Sequence, residues 1–229
     1  MSRWIPYLGL AVFPLLAFFP FNWLEFSWGF HHGREPMSPE VTQRAERIGR
    51  YVLWIRHGLL VTIVLGLAMH QSLQFSQIGL RLEGWQRNSL IGIVAASLWV
   101  GLHGFLRRLS PLPEIRDKRL AAEPTANWVL SQSVSVLAEE LWIAFCLVSL
   151  IRTGHSAVLA IIVTATVFGA LHYQYRTGAF ATAILGAASA LLFLWRGSLL
   201  PSYLFHFMGN ISALYWARRA SRTLPDGAA

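Results

Sequence analysis

The chain has 229 residues, 55% of them hydrophobic and only 13% charged, with a formal net charge of +8. Soluble domains run nearer half apolar and a quarter charged, so this composition excludes a sizeable soluble domain. A single cysteine, Cys146, excludes an intrachain disulfide scaffold and a cysteine-rich zinc site.

Seven runs are nearly or wholly free of Asp, Glu, Lys and Arg. About 20 apolar residues cross a bilayer as a helix, so the runs predict an all-α polytopic membrane bundle of about seven transmembrane helices. The first run, Trp4–Leu24, is bent by Pro6, Pro14 and Pro20. Bulky residues occupy its far end where a cleavage site needs small ones, so it reads as a retained span. A polar loop over 31–50 carries His31 and His32, which read as loop residues. Within it Ser38-Pro39-Glu40 is a helix start. That helix runs through Arg56 into the second span, Gly58–Leu80. Arg56 and His57 are expected at a membrane edge, and His70, Gln71, Gln74 and Gln77 at an interfacial end.

The third run is Asn88–Leu106, where His103 reads as structural. Residues 107–124 form the other long connection. Four runs follow: Pro124–Ile151, Thr153–Tyr175, Thr177–Trp195 and Gly197–Ala217. Cys146 reads as a small buried packing residue. Gly178, Thr182, Gly186 and Ala190 form a ladder of small residues that lets helices approach closely. The expected organisation is one integrated domain: N-terminal helices and loops over 1–124, a helical core with the candidate site over 125–217, and a basic tail over 218–229.

The Arg residues sit in the short connections, so the net charge calls for no nucleic acid. Seven spans put Arg3, Arg81, Arg87, Arg152 and Arg196 on one side. The other side gathers thirteen Lys and Arg, which favours N-out and C-in. Eighteen Arg against one Lys hint at a GC-rich coding sequence, and so at a bacterial inner membrane.

Nine of the eleven acids lie in loops, tails or span edges. The other two are neighbours, Glu139 and Glu140, in the middle of the fourth run. An acid at mid-membrane costs about 2.5–3.5 kcal/mol on insertion scales, so an intramembrane acid is a functional-site hypothesis by default. Adjacent helical residues point about 100° apart, so the two cannot fill one role in one pocket. His172 ends the fifth run. His206 and Asn210 stand at i, i+4, on one face of the seventh helix.

A carboxylate and a His can together take a proton from water. A His N–H and an Asn amide on one helix face can meet the oxyanion that forms when that water attacks a carbonyl. These residues therefore hold the parts for amide hydrolysis without a covalent intermediate. Zinc hydrolysis with the same residues as ligands is the runner-up, weakened by the lack of His-Glu-x-x-His. The absence of Gly-x-Ser-x-Gly disfavours a serine hydrolase. A small proton-coupled transporter is a third reading, but no repeated halves stand out.

Glu139-Glu140, then Phe168-x-x-x-His172, then His206-x-x-x-Asn210 fall in this order within consecutive spans. The lead-in Arg196-Gly-Ser-Leu-Leu-Pro precedes the last motif, and Ile78-Gly79-Leu80-Arg81 stands upstream as a weaker feature. This pattern over roughly 125–215 resembles the CAAX protease and bacteriocin-processing (CPBP) family of glutamic intramembrane endopeptidases. The resemblance implies a site in a cavity between membrane helices. It implies that Glu139 and His172 activate water, that His206 and Asn210 stabilise the oxyanion, and that Glu140 supports the site. It favours a metal-free mechanism with no cofactor. The implied partner is a membrane-tethered peptide or protein substrate within the lipid bilayer, and oligomeric state is left open.

The pattern departs from the family at one place. The family's first motif is Glu-Glu-x-x-x-Arg, and here Ala144 holds the Arg position. Arg56 or Arg152 is a possible stand-in. Without a nearby cation a buried Glu tends to stay protonated and is a poor base. The departure leaves two readings, a divergent active protease or an inactive relative acting as a membrane scaffold.

Overall fold

The computed structural model describes residues 4–18, 39–109, 125–172 and 177–222. Within them lie seven helices and no strand. These are α1 (Ile5–Phe18), α2 (Pro39–His70), α3 (Trp85–Leu109), α4 (Thr125–Arg152), α5 (Ala157–Leu171), α6 (Thr177–Arg196) and α7 (Leu199–Arg222). His31, His32, Pro20 and most of the 107–124 connection lie outside the described residues.

Four stretches are long and apolar enough to cross a membrane: Tyr51–His70, Trp85–Phe105, Trp128–Arg152 and Ala179–Arg196. Ile5–Leu16 and Ala157–Leu171 are shorter apolar helices. The all-α polytopic bundle stands. The expected start of α2 holds as well, with Pro39 at the first helical position, where its missing N–H costs nothing.

The fifth run is shorter as a helix than its 153–175 stretch suggests. Gly154 adopts φ +97 after the end of α4, a left-handed stop suited to glycine. Ser156 then caps α5, its hydroxyl accepting the Leu159 N–H at 3.2 Å. The 15 residues of α5 rise only about 22 Å, short of a typical hydrocarbon core of about 30 Å.

The bundle is organised around α4. Its Trp128–Arg152 stretch is 78% buried inside the protein, against 17–28% for the other three long stretches. It packs against α1, α2, α5, α6 and α7. A helix that every neighbour touches is where two acids can be held away from lipid. Cys146 is buried in that core, as expected of a packing residue. The Trp142 indole N–H donates to the Gly9 carbonyl at 2.8 Å and ties α1 to α4.

The start of α7 is held by the loop after α2. Gly79 sits at φ +86, and its carbonyl accepts the Leu199 N–H at 3.1 Å. Arg81 donates to the Arg196 carbonyl, and the Arg196 Nε–H to Asn88 Oδ1 at 3.0 Å. The upstream Ile-Gly-Leu-Arg feature is thus a clamp on the α6–α7 turn. Of the small-residue ladder, Gly186 abuts Phe168, where an added Cβ would stand 2.8 Å from the ring's Cδ1.

Candidate active site

Glu139 and Glu140 share α4 but face different neighbours, as their angular separation requires. Glu140 is buried toward α7, where its Oε1 accepts the His206 Nδ1–H at 2.8 Å. Its Oε2 is buried with no hydrogen-bond partner among the described residues. Glu139 lies between α2 and α7. Its Oε1 is 3.9 Å from His57 Nε2 and its Oε2 is 3.6 Å from His206 Nε2. His206 thus stands between the two acids, bonded to one and close to the other.

His172 ends α5, half-buried, its Nδ1–H donating to the Phe168 carbonyl at 2.8 Å. The Phe168 ring packs against His172 at 4.8 Å and edge-on against His206 at 5.6 Å between centroids. One buried aromatic ring therefore sets the positions of both imidazoles. Asn210 lies one turn beyond His206, its amide donating to Gln132 Oε1 on α4 at 2.9 Å. All five residues singled out from sequence thus lie on the converging faces of α4, α5 and α7.

His57 corrects an expectation. It is not exposed, as a polar residue at a span edge would be. It is fully buried inside the apolar stretch Tyr51–His70 and faces α4. Its Nδ1–H donates to the Leu53 carbonyl at 2.8 Å, and its Nε2 is 2.8 Å from Ser135 Oγ. Ser135 in turn is 3.1 Å from Glu139 Oε1. Gln132, Ser135 and Glu139, at i, i+3 and i+7, form one polar stripe on α4. Neither His57, Ser135 nor Gln132 emerges from motif reading. The spacing of that stripe is the one signal that points to the last two.

Two of the other polar spots make hydrogen bonds within the protein. Gln71 is buried and accepts from the Ser149 hydroxyl at 2.9 Å. Gln77 Oε1 accepts the Gln74 backbone N–H at 2.9 Å. Of the two suggested stand-ins for the missing Arg, Arg152 ends α4, thirteen residues from Glu139, or about 20 Å along the axis. Arg56 is next to His57, about 100° away around the helix, and its Nε is buried with no hydrogen-bond partner among the described residues. Ala144 itself is fully buried in the apolar core, one turn beyond Glu140. Among the described residues, no three His, Cys, Asp or Glu side chains gather closely enough to hold a metal ion.

Two glutamates, Glu139 and Glu140, and two imidazoles, His57 and His206, are thus buried between the helices of a polytopic membrane bundle. Residues 121–212 match the family model described as Type II CAAX prenyl endopeptidase Rce1-like. That stretch, about two fifths of the chain, is similar to the CAAX endopeptidase family. The match takes in Glu139, Glu140, His172, His206 and Asn210, and leaves His57 outside. No curated protein and no solved structure matches the chain.

Proposed function

We propose that the protein is an intramembrane endopeptidase that hydrolyses a peptide bond of a membrane-tethered peptide or protein with Glu139-activated water. The observation that carries the reading is the pairing of Glu139 Oε2 with His206 Nε2 at 3.6 Å, while Glu140 holds the other nitrogen of the same ring. That gap is too long for a direct hydrogen bond. A water or a substrate carbonyl set beside it meets a base on one side and a donor on the other.

In this reading Glu139, with His172 beside it, takes the proton of the attacking water. His206 and Asn210 donate to the oxyanion. Asn210 has two amide protons, so its bond to Gln132 leaves one for substrate. Glu140 fixes the His206 ring by accepting its Nδ1–H, and with the ring doubly protonated its Nε2–H is the donor to the oxyanion. Zinc chemistry fits less well, because among the described residues the acids and imidazoles do not converge as a ligand set.

The test is cleavage of a membrane-tethered peptide by purified protein, comparing wild type with Glu139→Gln, His172→Ala, His206→Ala and Asn210→Ala. Each variant is expected to lose most activity, and chelator to leave wild type unchanged. Equal cleavage by all five proteins sinks the reading. The bacterial inner membrane and the N-out, C-in orientation belong to the same proposal and rest on the Arg distribution. A C-terminal reporter active only outside the cytoplasm would reverse the orientation.

A further inference from the structure

We infer that His57 and Ser135 are positioning residues for Glu139, forming a three-member relay that balances its charge and stores one movable proton. The inference rests on the reading of Glu139 as the base, and it concerns residues outside the family motifs.

Proton counting carries the argument. A backbone carbonyl only accepts, so the 2.8 Å contact to Leu53 places a proton on His57 Nδ1. Ser135 Oγ then lies between His57 Nε2 at 2.8 Å and Glu139 Oε1 at 3.1 Å. Each of these two gaps needs one proton. The hydroxyl supplies one, and the second sits on either end. The relay is thus imidazolium–hydroxyl–carboxylate or imidazole–hydroxyl–carboxylic acid. The net charge is zero in both forms, and a concerted shift of two protons, from His57 Nε2 to Ser135 Oγ and from Ser135 Oγ to Glu139 Oε1, links them. All three side chains are buried, where an unpaired charge is costly and a satisfied network is favoured.

This arrangement answers the loss of the motif arginine. The cation that offsets Glu139 comes from α2 through Ser135, not from position 144. It also removes the objection that a protonated Glu139 is a poor base. From the ionic form, Oε2 takes the water proton directly while His57 is already imidazolium. From the neutral form, Oε2 takes the water proton as Oε1 gives its own to Ser135, and the hydroxyl proton passes to His57 Nε2. Both routes end in the same state, with a proton on Oε2, Ser135 donating to Oε1 and His57 as imidazolium. The water O–H bond breaks and its oxygen bonds to the substrate carbonyl carbon. When the C–N bond breaks, the Oε2 proton goes to the leaving nitrogen and the relay resets.

The groups facing Glu139 are His57 from α2, His206 from α7, His172 near the end of α5 and Glu140 beside it. Among the described residues, Ser135 is bonded to Oε1, and His57 reaches it through that hydroxyl.

The experiment uses the full chain in lipid nanodiscs with ¹⁵N-labelled histidine. His57→Gln assigns the His57 ring signals, and the spectra of Glu139→Gln and Ser135→Ala are compared with wild type. Each of these two variants is expected to move the His57 Nε2 signal, because each breaks the shared-proton chain. A merely structural His57 would not respond to Glu139→Gln, and an unmoved Nε2 signal overturns the relay whether or not cleavage is seen. In parallel, His57→Gln and Ser135→Ala should lower kcat for the tethered peptide about 10²-fold or more with KM held. If Glu139→Gln abolishes cleavage while both relay variants keep wild-type kcat, the relay is wrong and the protease reading stands. If Glu139→Gln cleaves like wild type, the protease reading falls, and the Nε2 comparison still decides whether the proton is shared. Ser135→Ala removes one oxygen from a mid-helix position, so it carries the kinetic test on its own should His57→Gln fail to fold.

Discussion

Glu140 Oε1 and His206 Nδ1 meet at 2.8 Å across 66 residues of chain, and this bond joins the central helix α4 to α7. Both groups are buried. Glu140→Ala leaves the imidazole N–H without its acceptor, a loss of about 1–3 kcal/mol. Glu140→Gln keeps an oxygen in place and should cost less. Under the proposed function, a freed His206 ring also misplaces an oxyanion donor, and about 10²-fold in kcat is the expected scale for an error near 1 Å. Thermal unfolding and cleavage of the two variants check the order wild type, Gln, Ala; an Ala variant equal to Gln in both would refute it.

Phe168 links packing to chemistry. Its ring contacts His172 and His206, and its far side rests on Gly186. A Cβ at 186 would lie 2.8 Å from Phe168 Cδ1, so the ring must shift. Gly186→Ala should cost about 1–3 kcal/mol by overpacking and lower kcat more than it raises KM. Phe168→Leu in the Gly186→Ala background should recover part of the lost stability, because the two changes share one contact. Additive losses in unfolding measurements would show that the ring does not transmit the strain.

Most of the bundle can be read from the sequence because charged side chains are costly in lipid, and their scarcity marks the apolar runs. The same signal misleads over 153–175. Thr153, Gly154 and His155 carry no formal charge when His is neutral, yet Gly154 and Ser156 end one helix and begin the next. Glu139, Glu140 and His206 stand out because each is costly where it lies. His57 does not, because it follows Arg56 and the pair looks like one polar edge. On a helix the two point about 100° apart, so one can be fully buried while its neighbour is not. Ser135 and Gln132 cost little in a membrane helix and carry no signal singly. They acquire meaning only through their register with Glu139 and the arrival of α2, which a motif within 121–212 cannot contain.

Gly79 tests whether the clamp on α7 matters to the site. At φ +86 a side chain is strained, and a Cβ would stand 2.8 Å from the Leu199 nitrogen, whose N–H the Gly79 carbonyl receives. Gly79→Ala should destabilise by more than about 1 kcal/mol. Hydrogen exchange should rise in the first turn of α7, ahead of His206. Gly66→Ala is the control, since nothing lies within 4 Å of its added Cβ. A helical Gly→Ala change there should be neutral or gain about 0.5–1 kcal/mol. Equal exchange in the two variants would show that the loop does not hold α7.

Ala144 is where the chain departs from the motif it resembles, and its surroundings set what a replacement there costs. Ala144 is fully buried in the apolar core. An Arg there must displace packed neighbours, which costs about 1–3 kcal/mol before the burial of its charge is counted. A smaller donor suits the site better. Helical side chains lean toward the N-terminus, so a hydroxyl at 144 lies over Glu140, whose Oε2 is buried without a partner among the described residues. Ala144→Ser should therefore hold or gain stability, by up to about 1 kcal/mol for the bond made. Unfolding temperatures of the purified variants decide the matter. If Ala144→Arg is the more stable, the core at α4 can admit a cation, and the charge on Glu139 need not be balanced from α2.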